Sequence, residues 1–156
     1  AAAQKRNFVG LVAEQSIYNL IERTVELEVL PAALDFGLGV IPWSPLHSGL
    51  LGGVIRKENE GKRRLEGRAA ETLQKLRPQL EKYEAWCAEF GHQPGDVALA
   101  WLLHQPAVTA PIIGPRTQDQ LDASLRALDL QLDGAALKAL DGIFPGHKTA
   151  PEDYAW

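Results

Sequence analysis

Gly39-Val40-Ile41-Pro42-Trp43-Ser44-Pro45-Leu46-His47-Ser48-Gly49-Leu50-Leu51-Gly52-Gly53 is the stretch on which the reading of this chain turns. Gly39 to Trp43 is continuously apolar. That suits a parallel strand buried on both faces rather than a strand with one wet face. The residues after it form a loop that presents backbone N–H groups and a few polar side chains. A second stretch of the same design lies downstream: Val108 to Ile113 reads as a strand and runs into Gly114-Pro115-Arg116-Thr117-Gln118-Asp119-Gln120-Leu121. Two such strand ends side by side form a cradle for a phosphorylated ligand.

Upstream, Leu11-Val12-Ala13 reads as a short buried strand with Gln15 and Tyr18 at its exit. Thr24 caps a helix running to about Phe36, with Val25, Val29, Ala33 and Phe36 at helical spacing and Gly37 at the C-cap. Gly49 to Gly67 is glycine-rich and then highly charged, which reads as a surface loop. Ala69 to Phe90 reads as a helical stretch interrupted near Pro78 and ended by Gly91. Pro94 opens a helix that buries Val97, Ala98, Trp101 and Leu102. Thr117 opens another, with Leu121, Leu125 and Leu128 along one stripe, and Asp133 caps a last helix containing Leu137, Leu140 and Ile143. The tail from Pro145 to Trp156 reads as irregular.

This order alternates strands with helices, which implies parallel strands and crossover helices. Three strands do not close a barrel. A (β/α)8 barrel takes roughly 250 residues, so a chain of 156 residues suits about half of one, a partial single domain over 1–156. The chain contains no methionine and opens Ala1-Ala2-Ala3-Gln4, which points to a sequence that begins inside a longer protein.

Composition narrows the function classes. Hydrophobic residues make up 46%, enough for a packed core rather than a disordered chain. A net charge of -4 argues against a dedicated nucleic-acid or membrane-surface binder. No apolar run has the length of a membrane span, and the first residues lack a signal-peptide pattern. The single cysteine, Cys87, excludes an intramolecular disulfide and fits a reducing, cytoplasmic setting, where it reads as a core residue.

Three segments together resemble the aldo-keto reductases. Glu14-Gln15-Ser16-Ile17-Tyr18-Asn19-Leu20, followed by Arg23 and Glu26, resembles their sixth-strand region. Trp43-Ser44-Pro45-Leu46 with Gly49-Leu50-Leu51 resembles the exit of the seventh strand. Ile112-Ile113-Gly114-Pro115-Arg116-Thr117 with Gln120-Leu121 resembles the eighth strand and the helix after it. Order and spacing agree over nearly the whole chain. The resemblance implies the C-terminal half of a (β/α)8 TIM barrel that reduces aldehydes or ketones with NADPH. It also implies a partner: the N-terminal half of the same barrel. That half carries the family's catalytic tyrosine, lysine, aspartate and histidine. None of those motifs is present here, so no residue of this chain is assigned to catalysis, and none to a metal.

The same resemblance implies roles. Gln15 bonds the nicotinamide carboxamide and Trp43 stacks on the ring. Ser44, Pro45, Leu46, Ser48, Gly49 and Leu50 wrap the pyrophosphate. Gly114, Arg116 and Thr117 follow on the third strand end, with Arg116 and Thr117 on the adenosine 2′-phosphate, a group that a guanidinium grips with paired donors. Gln120 belongs to this set, though Thr117-x-x-Gln120 is also a capping-box spacing, and both roles can hold at once. Where relatives carry Glu and Asn against adenine, this chain has Ala123, which makes no such contact, and Ser124, which makes a shorter one. Where they carry a lysine after the glycines, it has Val54. Arg56, Lys57 or Arg64 either substitutes or is a solvated loop charge. His47 flanks the phosphate or faces solvent. Tyr154 and Trp156 either wall the substrate pocket or belong to a surface-docked terminus.

Two further readings stand beside the enzyme: a non-catalytic nicotinamide-binding regulatory or redox-sensing subunit, like the barrel subunits associated with some ion channels, and an isolated half-barrel whose open sheet edge forces association. The loops that choose the carbonyl substrate are not in this chain, and its oligomeric state is open.

Overall fold

The computed structural model describes residues 2–61 and 67–148. Its elements run α1 (Ala2–Lys5), β1 (Ala13–Glu14), a 3₁₀ turn at Thr24–Glu26, α2 (Val29–Phe36), β2 (Gly39–Val40), 3₁₀ turns over His47–Gly52, α3 (Val54–Asn59), α4 (Arg68–Phe90), α5 (Pro94–Leu103), α6 (Gln118–Arg126) and α7 (Gly134–Ile143). β1 and β2 are parallel, with Ala13 opposite Gly39 and Glu14 opposite Val40. An isolated bridge pairs Ile17 with Trp43, also in parallel, so the two segments run side by side as far as Trp43.

The third segment is parallel too, bridging Val108 to Val40, but it is not the continuous strand that its apolar run predicts. Two prolines are the reason. Val40 O accepts from Thr109 N at 2.8 Å, yet Pro42 O accepts from Ile112 N rather than from residue 111. Pro111 has no N–H to give, and Pro42 cannot donate in return. The ladder skips one residue, and the chain leaves it just where the cradle begins. The first strand is also displaced. Leu11 and Val12 are exposed, and pairing starts at Ala13.

Gly39 permits a close approach. A Cβ built there lies 2.7 Å from Thr109 Oγ1. Gly39→Ala is therefore expected to cost about 1–2 kcal/mol in overpacking, while Gly39→Ala with Thr109→Ala recovers most of it. Urea unfolding of the three variants checks this, and equal loss in the single and double variants would refute the steric cause.

The helices cover this sheet. Thr24 does not cap a long helix. It starts a short 3₁₀ turn, and α2 begins only at Val29, ending at Gly37 in a left-handed conformation. α4 runs unbroken through Pro78, contrary to the expected interruption. Leu73, Leu80, Tyr83 and Cys87 are buried along one stripe, and that packing outweighs the one intrahelical bond a proline removes. Burial pushes the Cys87 thiol up to about 12, which keeps it inert. Gly49 to Gly67 is not a surface loop throughout. Leu50, Leu51, Val54 and Ile55 are buried, and α3 occupies Val54–Asn59. Charge composition hid this because the apolar residues precede the charged run.

α5 sits at the centre of the core, with Val97 to Leu102 all buried and Trp101 tilted against Tyr18 at 5.2 Å. Asp133 caps α7 by accepting from Ala136 N at 2.7 Å. Of the expected stripe, α6 carries Leu121 and Leu125 but ends at Arg126, before Leu128; Leu125 and Leu128 are exposed, as are Leu34 and Phe36 on α2. Residues 145–148 form no helix or strand. Tyr154, Trp156 and Arg64 lie outside the described residues.

Candidate functional site

The segment after β2 leaves the sheet at Trp43 and turns back on itself within a few residues. Ser44, His47 and Ser48 all have left-handed φ (56°, 44° and 54°), and Gly49 follows at 85°. For Ser44 this is doubly unfavourable, since it carries a Cβ and directly precedes Pro45. Its carbonyl is held from two sides: Asn19 Nδ2 donates to it at 3.0 Å and His47 N at 2.9 Å. Asn19 is fully buried, and its Oδ1 accepts from Ile21 N and Glu22 N. One amide side chain thus ties the turn after β1 to the loop after β2. The sequence alone gives Asn19 no role, although a polar residue directly before an apolar one at a strand exit is the available signal.

His47 is partly buried, and its Nδ1 has no hydrogen-bond partner among the described residues. Burial lowers its pKa, and the nearby Glu22 carboxylate opposes the shift. A histidine depressed in the folded state takes up its proton first in the unfolded chain, so acidification below about pH 6.5 favours unfolding. Stability is expected to rise from about pH 5.5 to about pH 7.5, and His47→Gln to flatten part of that rise. Urea midpoints at both pH values measure it, and an unchanged slope would assign the dependence elsewhere.

The other strand end is organised by α6. Thr117 is the N-cap, and its Oγ1 accepts from Gln120 N at 3.3 Å. Gln120 reaches back with Oε1 to accept from Arg116 N at 2.7 Å, a capping box displaced by one residue. Arg116 is thereby fixed at its backbone while its guanidinium makes no hydrogen bond or ion pair among the described residues. Ser124 donates to Gln120 O at 2.9 Å, which leaves its oxygen as an acceptor.

Between these ends lies a cavity of about 990 Å³. Of the residues expected from sequence, Trp43, Ser44, Pro45, Leu46, Ser48, Gly49, Gly114, Arg116, Gln120 and Ser124 line it. Leu50 does not: it is a core residue, 2% exposed. Thr117 is outside the lining, its hydroxyl spent on the helix cap. Gln15 is exposed beside β1 and also outside the lining. Lining residues that the sequence did not point to come mainly from α5, whose approach and first turn form one wall with Gln93, Pro94, Gly95 and Asp96. Arg56 and Lys57 on α3 and Arg126 on α6 also line the cavity, so the first two are not merely solvated loop charges. Arg126 is paired with the largely buried Asp96 (Nε to Oδ2, 3.1 Å). Lys57 Nζ donates to Gly52 O. The hydroxyls of Tyr18 and Tyr83 are engaged elsewhere, with Glu26 and Pro94 O, and neither tyrosine lines the cavity.

Parallel segments with a basic cavity at their C-terminal ends, walled by helix first turns, define an α/β protein whose cavity is carried on the loops that leave those segments. The sequence model of the Aldo/keto reductase family matches residues 1–144, and the chain belongs to that family. It is 52% identical to a protein of Bacillus subtilis (strain 168) described as an uncharacterized oxidoreductase, YrpG, over 100% of this chain and 48% of that one. It is 32% identical to a probable voltage-gated potassium channel subunit beta of Oryza sativa subsp. japonica, over 83% of this chain and 42% of that protein. With the versiconal hemiacetal acetate reductase of Aspergillus parasiticus it shares 28% identity, over 88% and 43%. The chain spans about half the length of the curated relatives it matches.

Proposed function

We propose that this chain is the cofactor-binding half of an NADP(H)-dependent reductase that converts an aldehyde or ketone to an alcohol. The observation that carries the reading is the cavity itself. An aromatic face, Trp43, is 44% exposed beside one loop, and the guanidinium of Arg116, without a partner among the described residues, stands beside the other. These residues fit a dinucleotide phosphate: a flat ring stacks on the indole, and a phosphate takes the guanidinium. When bound, the nicotinamide supplies the hydride. The chain's own part is to orient the ring at Trp43, to line the phosphates with the backbone of Ser48 and Gly49, and to hold the adenosine end between Arg116, Gln120 and Ser124.

The acid that protonates the carbonyl oxygen comes from an N-terminal half, which completes the barrel. The exposed apolar residues of α2, α6 and the segment before β1 are the surfaces it would cover. A lone, buried cysteine supports a cytoplasmic setting. Similarity to a channel beta subunit supports the second reading, a nicotinamide-binding regulatory subunit.

Titrating the full-length protein with NADPH is expected to quench tryptophan fluorescence, and Trp43→Phe to remove most of the quench. Turnover of an aldehyde by the same protein supports the reductase. Quenching without turnover of any carbonyl would favour the regulatory subunit, and no binding at all would refute both.

A further inference from the structure

Asn19 is fully buried and does not line the cavity, yet its side chain holds the loop that does. Nδ2 donates to Ser44 O at 3.0 Å across 25 positions of sequence, while Oδ1 accepts from Ile21 N at 3.0 Å and Glu22 N at 2.9 Å. The same turn holds the residue before Ser44 as well, because Trp43 N donates to Ser16 O at 3.0 Å. Ser44 needs this hold. With a φ of 56° directly before a proline, its backbone relaxes toward the extended region once its carbonyl is released. Pro45, Leu46, Ser48 and Gly49 line the cavity and follow Ser44 in the chain, so a rotation at Ser44 carries all four with it.

We propose that Asn19 is a positioning residue for dinucleotide binding: by keeping Ser44 in its left-handed conformation, it sets the loop from Pro45 to Gly49 against the ligand without touching the ligand itself. The proposal rests on the dinucleotide reading above. The two ends of the cavity then respond separately, since the Arg116 end is organised by α6 through Thr117 and Gln120. A glycine at position 44 would need no such tie, because without a Cβ it takes up left-handed backbone at little cost.

Binding of NADP+ and of adenosine 2′-monophosphate to the full-length protein tests this. Asn19→Ser keeps a short oxygen for the N–H groups of Ile21 and Glu22 and gives up the bond to Ser44. It is expected to weaken NADP+ by about tenfold, and adenosine 2′-monophosphate, which meets only the Arg116 end, by less than about twofold. In a Ser44→Gly background the same change is expected to weaken NADP+ by less than about threefold. Thermal melts establish which variants are folded. Were Asn19→Ser to unfold on its own, the Ser44→Gly pair would still decide the matter, and a tenfold NADP+ loss within that pair would overturn the proposal. Unchanged NADP+ affinity in folded Asn19→Ser would overturn it too. So would equal losses for the two ligands, or the same NADP+ loss in both backgrounds, since Asn19 would then serve stability alone. Failure of the unaltered protein to bind either ligand would overturn the dinucleotide reading, and this proposal with it.

Discussion

Arg116→Ala in the full-length protein is expected to raise the dissociation constant for NADP+ by about 100-fold, or about 2.7 kcal/mol, and that for NAD+ by less than about threefold. The reason lies in what Arg116 lacks. Its guanidinium has no carboxylate or carbonyl partner among the described residues, so a phosphate does not have to displace one. Its backbone N–H is already tied down, because Gln120 Oε1 accepts it at 2.7 Å. α6 begins two residues later with a capped N-terminus, whose dipole adds to the attraction for an anion. The one carboxylate among the described residues lining the same cavity, Asp96, is engaged by Arg126. Arg116→Lys keeps the charge but loses the paired donors, and an intermediate loss is expected. Isothermal titration with both dinucleotides decides the matter. Equal weakening of NADP+ and NAD+ would place Arg116 away from the 2′-phosphate.

The second large effect concerns stability. Arg23→Ala is expected to destabilise the fold by about 3–4 kcal/mol, far more than an exposed ion pair would. The side chain is 11% exposed and does three things at once. Nε donates to Glu26 at 2.8 Å, Nη1 donates to both Asp141 and the carbonyl of Phe144 at 2.7 Å, and the guanidinium lies 5.0 Å over the Trp101 ring. Burial works against its charge, but the hydrogen bonds to Glu26 and Asp141 outweigh burial and raise its pKa. Glu26 also accepts from Tyr18 OH at 2.7 Å, and the tyrosine, by burial first and by this bond second, stays protonated at every ordinary pH. Removing the arginine strips the largely buried Glu26 carboxylate of its charged partner, leaving it the Tyr18 hydroxyl, takes the side-chain donor from the Phe144 carbonyl, and unties the end of α7 from the turn after β1. Tyr18→Phe removes one neutral donor and is expected to cost only about 1 kcal/mol. Guanidinium unfolding of the two variants measures the contrast. Losses of equal size would mean that the arginine does not hold this network together.

Several helix ends were legible because they depend on local chemistry. Gly37 and Gly91 sit where helices end, Thr117 and Asp133 where they begin, and each does so through bonds that span three or four residues. The loops after Trp43 and after Ile113 were readable for the same reason, since an apolar run stops and a polar stretch starts, although the third apolar run forms only an isolated bridge and not the expected strand. The illegible parts involve distant partners. Pro42 and Pro111 lie 69 positions apart by their numbering, and only when their segments pair does the missing N–H of each break the third strand. Leu50 adjoins Gly49 in sequence, yet it is buried in the core while Gly49 lines the cavity.

Read as a linear chain, these residues already specify the alternation of strand and helix, the family, and which two loops meet at the candidate site. All three rest on hydrophobic periodicity, capping and short motifs, which act over a few residues. Which charges the site keeps is a matter of packing alone. Arg126 is answered by Asp96 thirty residues earlier, Arg56 is held by a neutral glutamine thirty-seven residues on, and Arg116 is left without a partner among the described residues. Whether a cation is spent within the fold or available to a ligand depends on which side chains packing brings within about 3 Å of it, and a linear chain carries no such distance.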